Sequence, residues 1–370
     1  MKHVLYLVTS FRGRFTLSLA LALATIALGS GLASANDFTQ TNLVSDVANL
    51  ALHQDLVLKN AWGLSHGPNT PFWISDAGTD LSTLYDGTGS KVSLQVAIPG
   101  PAAHVPAVPT GNLFNPTSGF LVTAGDSSTK AFFIFAGATG TISAWNPNVD
   151  RFHAILKVNN FPQAGYTGIA LGTNSTGTFL FAANFPEGRI DVFDSTFAPA
   201  TLAGTFTDPV VPAGYGPFNI ENINGRLFVT YAKIDPQTGH DIAGVGNGYV
   251  AVFDTNGMLL RHFASQGLLN SPWGMAIAPS TFENVKGDLL VGNFGDGHVN
   301  AFRLSDGRFG GQLKMEGRTI VVPGLWALVD GGGALNADPN EVYFTAGINN
   351  QADGLFGTLG APTDETGSDQ

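Results

Sequence analysis

The sequence predicts an all-β chain folded as a six-bladed β-propeller, with four-stranded blades and a ring closed by the N-terminal strand. Three observations lead there. The first is a unit of short apolar runs joined by tight-turn residues, clearest in Ser271–Leu313: Pro-Trp-Gly opens one run, DLLVGNF follows, a Gly-Asp-Gly turn leads to HVNAFRL, and an Asp-Gly turn leads to GGQL. Turns of this kind between apolar runs specify antiparallel hairpins. The second is recurrence. Weaker copies of the unit begin near residues 61, 110, 167, 217, 272 and 325, and a spacing of about 50 suits four strands per unit. The third is an unpaired remainder. The sixth copy ends after three strands, while FTQTNLVSD precedes the first copy without a partner. Joining the two hydrogen-bonds the ends of the ring and removes an exposed edge.

Taken in order, residues 1–35 read as a signal peptide. Lys2, Arg12 and Arg14 precede the apolar run FTLSLALALATIALG, and Ala33-Ser34-Ala35 supplies a small-x-small cleavage site, which places the cut after Ala35. The propeller is expected over 36–360. Its second unit carries an insertion around Gly119–Lys130, and its fourth a longer one at Asp235–Gly248. Residues 361–370 read as a disordered acidic tail.

Composition narrows the function. The chain has 370 residues, and its 47 Gly and 27 Phe with only 12% charged residues suit many strands and turns rather than long amphipathic helices. With no Cys, disulfide scaffolds and thiolate metal sites are excluded. Removing the three basic leader residues leaves 14 Lys+Arg against 28 Asp+Glu, a net charge of −14. That balance disfavours nucleic acid and anionic membrane, and no later segment is long enough to span a bilayer. The expectation is a secreted or periplasmic monomer whose partner is a small molecule or a protein.

Propeller geometry locates the binding face. First strands line the central channel, and the loops leading into them share a face with the loops joining second to third strands. That face collects Trp62, Asn219, Trp273 and Trp326 from strand starts, and Asp76, Asn184 and Asn293 from second-strand ends. Loops on a rigid ring are where ligands bind. Trp62, Asp76, Asn184, Asn219, Trp273 and Asn293 are the candidate ligand-binding residues. The tryptophans either pack the wedge near the axis or floor a ring-stacking site.

The W-G openings (Trp62-Gly63, Trp273-Gly274) and the patterns FLFAANFPEGRIDVFD and DLLVGNFGDGHVNAF resemble the NHL and gluconolactonase-like six-bladed propellers. With GTISAWNP, they also resemble a family of exported bacterial propellers without an assigned activity. The gluconolactonase resemblance implies one cation, Ca²⁺ or Mg²⁺, held in the channel mouth by oxygen ligands from several blades, where it would serve a lactonase or related hydrolase. Asp76, Asn184, Asn219 and Asn293 stand at the corresponding places. The chain departs from that pattern in lacking a Glu at the start of the first blade. Asn and Asp also cap turns well, which gives the same four residues a structural reading. Two functions are therefore expected: a binding module working through its loop face or, alternatively, a metal-dependent lactonase with its site at the channel mouth.

Overall fold

Apolar runs bounded by Gly, Asn and Asp turns can satisfy their backbone groups locally only as antiparallel hairpins, and hairpins are what the chain forms. The computed structural model describes residues 38–361, so the signal peptide expected over 1–35, and the tail from residue 362 onward, lie outside the described residues. From axis to rim, blade one is Ala61–Ser65, Phe72–Asp76, Leu81–Tyr85 and Lys91–Ala97. Blade two is Pro109–Phe114, Phe133–Gly137, Thr141–Trp145 and Ile155–Asn159. Its expected insertion is a separate hairpin, Leu121–Ala124 against Ser127–Lys130. Blade four is Tyr215–Ile223, Arg226–Lys233, Gly248–Phe253 and Leu259–Ser265; blade five is Pro272–Ile277, Leu289–Asn293, Val299–Phe302 and Phe309–Gln312.

Blade three departs from the expected four strands. It has Tyr166–Asn174, Gly177–Asn184 and Arg189–Phe193, and the segment LAGTFTD expected as its outer strand is irregular. Ala200 N–H still bonds Val192 O, at 2.8 Å, but the backbone N–H groups of Gly204 and Phe206 go to Asn256 O and Gly257 O of the next blade. The Phe206 ring then packs against Phe181 and Phe253. Burying an aromatic ring in the gap between blades wins over extending the ladder by one strand.

Blade six is Leu325–Asp330, Val342–Gly347 and Asp353–Gly360, completed by Thr39–Ser45. The closing strand runs antiparallel to Asp353–Gly360, from Thr39 opposite Gly360 to Ser45 opposite Leu355. Beyond the ladder, Ser45 Oγ donates to Gly354 O at 2.7 Å, and Asp46 Oδ1 accepts from Gly354 N at 2.8 Å. Lys59 bridges Asp46 and Asp353. The ring therefore closes with the two chain ends in one sheet.

Six buried apolar clusters occupy the gaps between successive blades. The gap between blades one and two shows the composition: Trp73 stacks on Phe133 at 4.2 Å, with Trp145 at 4.7 Å. The cluster between blades six and one runs inward to the axis and takes in Trp62, Trp273 and Trp326. Among the described residues no helix is long and apolar enough to cross a membrane.

Candidate functional site

Inner strands of neighbouring blades lie side by side without a ladder between them. Backbone carbonyls that face the next blade must therefore find side-chain donors. Thr110 Oγ1 donates to Tyr166 O at 2.6 Å and Thr167 Oγ1 to Phe218 O at 2.7 Å. Asn219 Nδ2 donates to Trp273 O at 3.0 Å. The same crowding explains the W-G pairs. A Cβ on Gly63 would sit 2.2 Å from Thr110 O, and one on Gly274 would sit 2.4 Å from Trp326 O. Glycine lets the backbones touch, while the tryptophan before it turns to the axis.

At the axis the aromatics form a continuous stack. Trp62 lies on Trp326 with ring centroids 3.6 Å apart and 12° between planes, and Trp326 lies on Phe294 at 3.9 Å and 15°. Trp273 meets the first two edge-on at 6.4 and 6.0 Å, and Phe218 leans on Trp326 at 5.9 Å. Two indoles are fixed by hydrogen bonds: Trp326 Nε1 donates to Asn60 Oδ1 and Trp273 Nε1 to Thr167 O, both at 3.0 Å. The stack plugs the channel and fills the wedge between blades.

On the face where the chain enters the inner strands, the stack floors a cavity of about 290 Å³. Trp62, Trp326, Phe185 and Phe218 line its base, and Asn60 and Gln351 stand at its side. One wall comes from the blade-four insertion, which begins as a small hairpin: Ile234 bridges Asp241, Asp235 N bonds His240 O and Ile242 N bonds Lys233 O. This places Thr238, Gly239, His240 and Asp241 over the base. The rest of the insertion is pinned to blade five, with Gly244 N bonding Asn270 Oδ1 at 2.6 Å and Ser271 N bonding Asn247 O at 3.1 Å. Asp241 Oδ2 is buried without a hydrogen-bond partner. Burial pushes the Asp241 carboxyl above its usual range, and the nearby Ser271 hydroxyl only partly offsets this.

Left-handed backbone gathers at the same mouth. The residue just before the inner strand has positive φ in five blades: Asn60 (46°), Val108 (49°), Gly214 (87°), Ser271 (44°) and Gly324 (69°). Gln351, beside Asn60 on the cavity side, has φ of 66°. A β-branched residue such as Val108 takes this conformation only where its surroundings impose it.

The six residues singled out from sequence fall in different surroundings. Trp62 lines the cavity, and Trp273 supports the stack behind it. Asn184 Oδ1 accepts from Gly165 N at 3.1 Å, and Asn293 Oδ1 accepts from Asn270 N at 3.1 Å. Each of these asparagines thereby ties the end of a second strand to the loop leading into its own blade. Asn219 is spent on Trp273 O. Asp76 is fully buried, and burial pushes its carboxyl well above the usual range despite help from Thr83. Asp76, Asn184, Asn219 and Asn293 share no hydrogen-bond partner and none lines the cavity. A cation wants convergent, uncommitted, ionised oxygens, and this donor set does not fit one. Among the described residues no group of three His, Asp or Glu side chains is placed to hold a metal ion.

Two functional candidates escaped sequence reasoning. Asp241 sits in an insertion whose path no local pattern predicts. Glu221 faces a second cavity, of about 370 Å³, at the opposite end of the channel. Burial, aided by Asp330 and opposed by Asn219, pushes its pKa up to about 8. A lone Glu inside the apolar inner strand GPFNIENI was the available signal.

No family model matches the sequence. An uncharacterised protein of Acanthamoeba polyphaga mimivirus is 34% identical over 322 residues, covering 86% of this chain and 78% of its own. A second from the same virus is 34% identical over 325 residues, covering 86% and 84%. The chain belongs to the family of these viral proteins. Solved structures add the fold. A protein of unknown function from Bacteroides thetaiotaomicron superposes with TM-score 0.55 at 11% identity, over 87% of this chain and 76% of that one. The PQQ-bound aldose sugar dehydrogenase from Streptomyces coelicolor superposes with TM-score 0.50 at 12% identity, over 88% and 98%. At 11 and 12% identity these likenesses bear on the fold alone. The relatives found are viral, so the bacterial, exported character read from the sequence stays an expectation.

Proposed function

We propose that this protein is a binding module that holds a small molecule in the channel mouth, against the Trp62–Trp326 stack. The observation that carries the reading is the cavity itself. It is a concave site of about 290 Å³ with an aromatic base, a few polar groups at its side and left-handed backbone around it. That combination is the usual anatomy of a small-ligand site, at the small end of the size range. We place the protein outside the cytoplasm, on the strength of the leader read in residues 1–35. Crystals soaked in small aromatic and alicyclic fragments test the binding reading: fragment density against Trp62 is expected, and fragments that bind elsewhere while sparing this cavity overturn it. N-terminal sequencing of protein secreted from a bacterial host tests the leader, with Asn36 expected as the first residue.

The alternative, a lactonase using Ca²⁺ or Mg²⁺ on Asp76, Asn184, Asn219 and Asn293, draws less support. Its donors are committed to neighbouring backbone and side chains or, for Asp76, pushed towards the neutral form by burial. Lactone turnover abolished by a chelator and by Asn184→Ala would restore it.

A further inference from the structure

We infer that the channel-mouth cavity selects a small organic cation, a quaternary or protonated alkylamine, with the tryptophan stack as its platform and Asp241 as its counter-charge. The inference rests on the small-ligand reading above and names the ligand's class. Three observations carry it.

First, among the described residues the ionisable side chains lining the cavity are His240 and Asp241, and no Lys or Arg lines it. The nearest basic residue in sequence to the cavity side, Lys59, is bound by Asp46 and Asp353. Second, the base is built of Trp62, Trp326, Phe185 and Phe218. Indole and phenyl faces carry negative electrostatic potential and attract an alkylammonium most strongly where water is excluded; both faces of Trp326 are covered, by Trp62 and Phe294, so Trp62, Phe185 and Phe218 are the rings left to meet it. Third, part of the polar lining is already committed within the protein. Asn60 accepts from Trp326 Nε1 and donates to Gln351 Oε1 at 3.2 Å; Thr167 Oγ1 donates to Phe218 O; Thr238 Oγ1 accepts from His240 N at 3.3 Å. Asn60 and Thr167 are thereby committed within the protein rather than held out to a polyhydroxylated ring. Two buried polar atoms of the lining make no hydrogen bond, Trp62 Nε1 and Asp241 Oδ2, and of these only the carboxyl oxygen can carry charge. An unpaired carboxylate in a confined site is costly until a cation meets it. A compact ammonium ion satisfies the aromatic base and the carboxylate together. The blade-four hairpin is then the element that sets specificity.

Isothermal titration calorimetry on the mature chain tests this with tetramethylammonium chloride, choline chloride and the uncharged isostere 3,3-dimethyl-1-butanol, at matched ionic strength in sodium chloride. The cations are expected to bind at least about tenfold more tightly than the isostere. Asp241→Asn, which keeps the side-chain volume, is expected to remove that preference while leaving the isostere's affinity unchanged and the melting temperature no lower. Equal affinity for cation and isostere, or a preference that survives Asp241→Asn, overturns the inference but leaves the small-ligand reading standing. If none of the three binds and the fragment soaks also spare the cavity, both fail. If only the fragments occupy it, the cation assignment alone falls.

Discussion

The ring's closure offers the most direct quantitative test, through Val44→Ala. Val44 is fully buried in the closing strand, opposite Phe356, in the cluster that also holds Tyr85, Tyr343 and Trp62. Alanine removes two methyl groups, about 0.8 kcal/mol each by transfer. Incomplete collapse of the space they leave adds a similar amount. The total is about 2–3 kcal/mol, a substantial share of a typical protein's stability. Urea unfolding followed by tryptophan fluorescence reads this well, because none of the five tryptophans lies in the closing strand: Trp62, Trp273 and Trp326 stand at the axis, and Trp73 and Trp145 between blades one and two. With a slope of about 3 kcal/mol/M, the midpoint falls by roughly 0.8 M at unchanged slope. Thr41→Ala, at an exposed position of the same strand, stays within about 0.5 kcal/mol of the wild type. If Val44→Ala behaves like Thr41→Ala, the strand does not hold the ring shut. A biphasic transition in which the closing strand leaves before the axis signal changes would refute the argument equally.

Glu221 makes stability depend on pH. The folded state keeps its proton to about pH 8, while the unfolded chain releases it near its ordinary value of 4.5. The stabilisation is therefore full below about pH 4.5 and lost as pH rises towards 8. At about 1.4 kcal/mol per pH unit, reduced because Glu221 is partly open to the channel, wild type should lose about 2 kcal/mol relative to Glu221→Gln across that window; parallel stability curves would disprove it. Asn60→Ala strips the acceptor from Trp326 Nε1 and should cost about 1–3 kcal/mol in chemical denaturation, whereas Asn60→Asp keeps the acceptor and most of the stability. Asn184→Ala leaves Gly165 N without its acceptor and should cost a similar amount, about 1–3 kcal/mol, equally in calcium and in chelator; a loss seen only with calcium present would return Asn184 to a cation site.

The inner strands begin at Ala61, Pro109, Tyr166, Tyr215, Pro272 and Leu325, within two residues of the starts read from the repeat. Strands and turns are legible because they are written locally, in the alternation of apolar runs with Gly, Asn and Asp. Closure was legible by subtraction, from one strand missing at the end and one spare at the start. The outer edge of blade three was not, because LAGTFTD has a strand's composition and only its neighbour, the Asn256–Gly257 turn, draws its backbone away.

By itself, then, the sequence determined the propeller, the position of its blades and the face on which loops converge, because all of these follow from a period of about 50 residues. Only the tertiary structure decided what that face can do. Trp326 stacks on Trp62 and bonds Asn60 across 266 positions of chain, and Asp241 reaches the cavity through a hairpin whose course is set by blade five. Asn184 and Asn293 look like ligands in sequence, and the structure turns them into backbone ties. The physical reason is the same in each case. Side chains at the axis meet partners from other blades, and whether a polar group stays free for a ligand depends on which of those partners reaches it first.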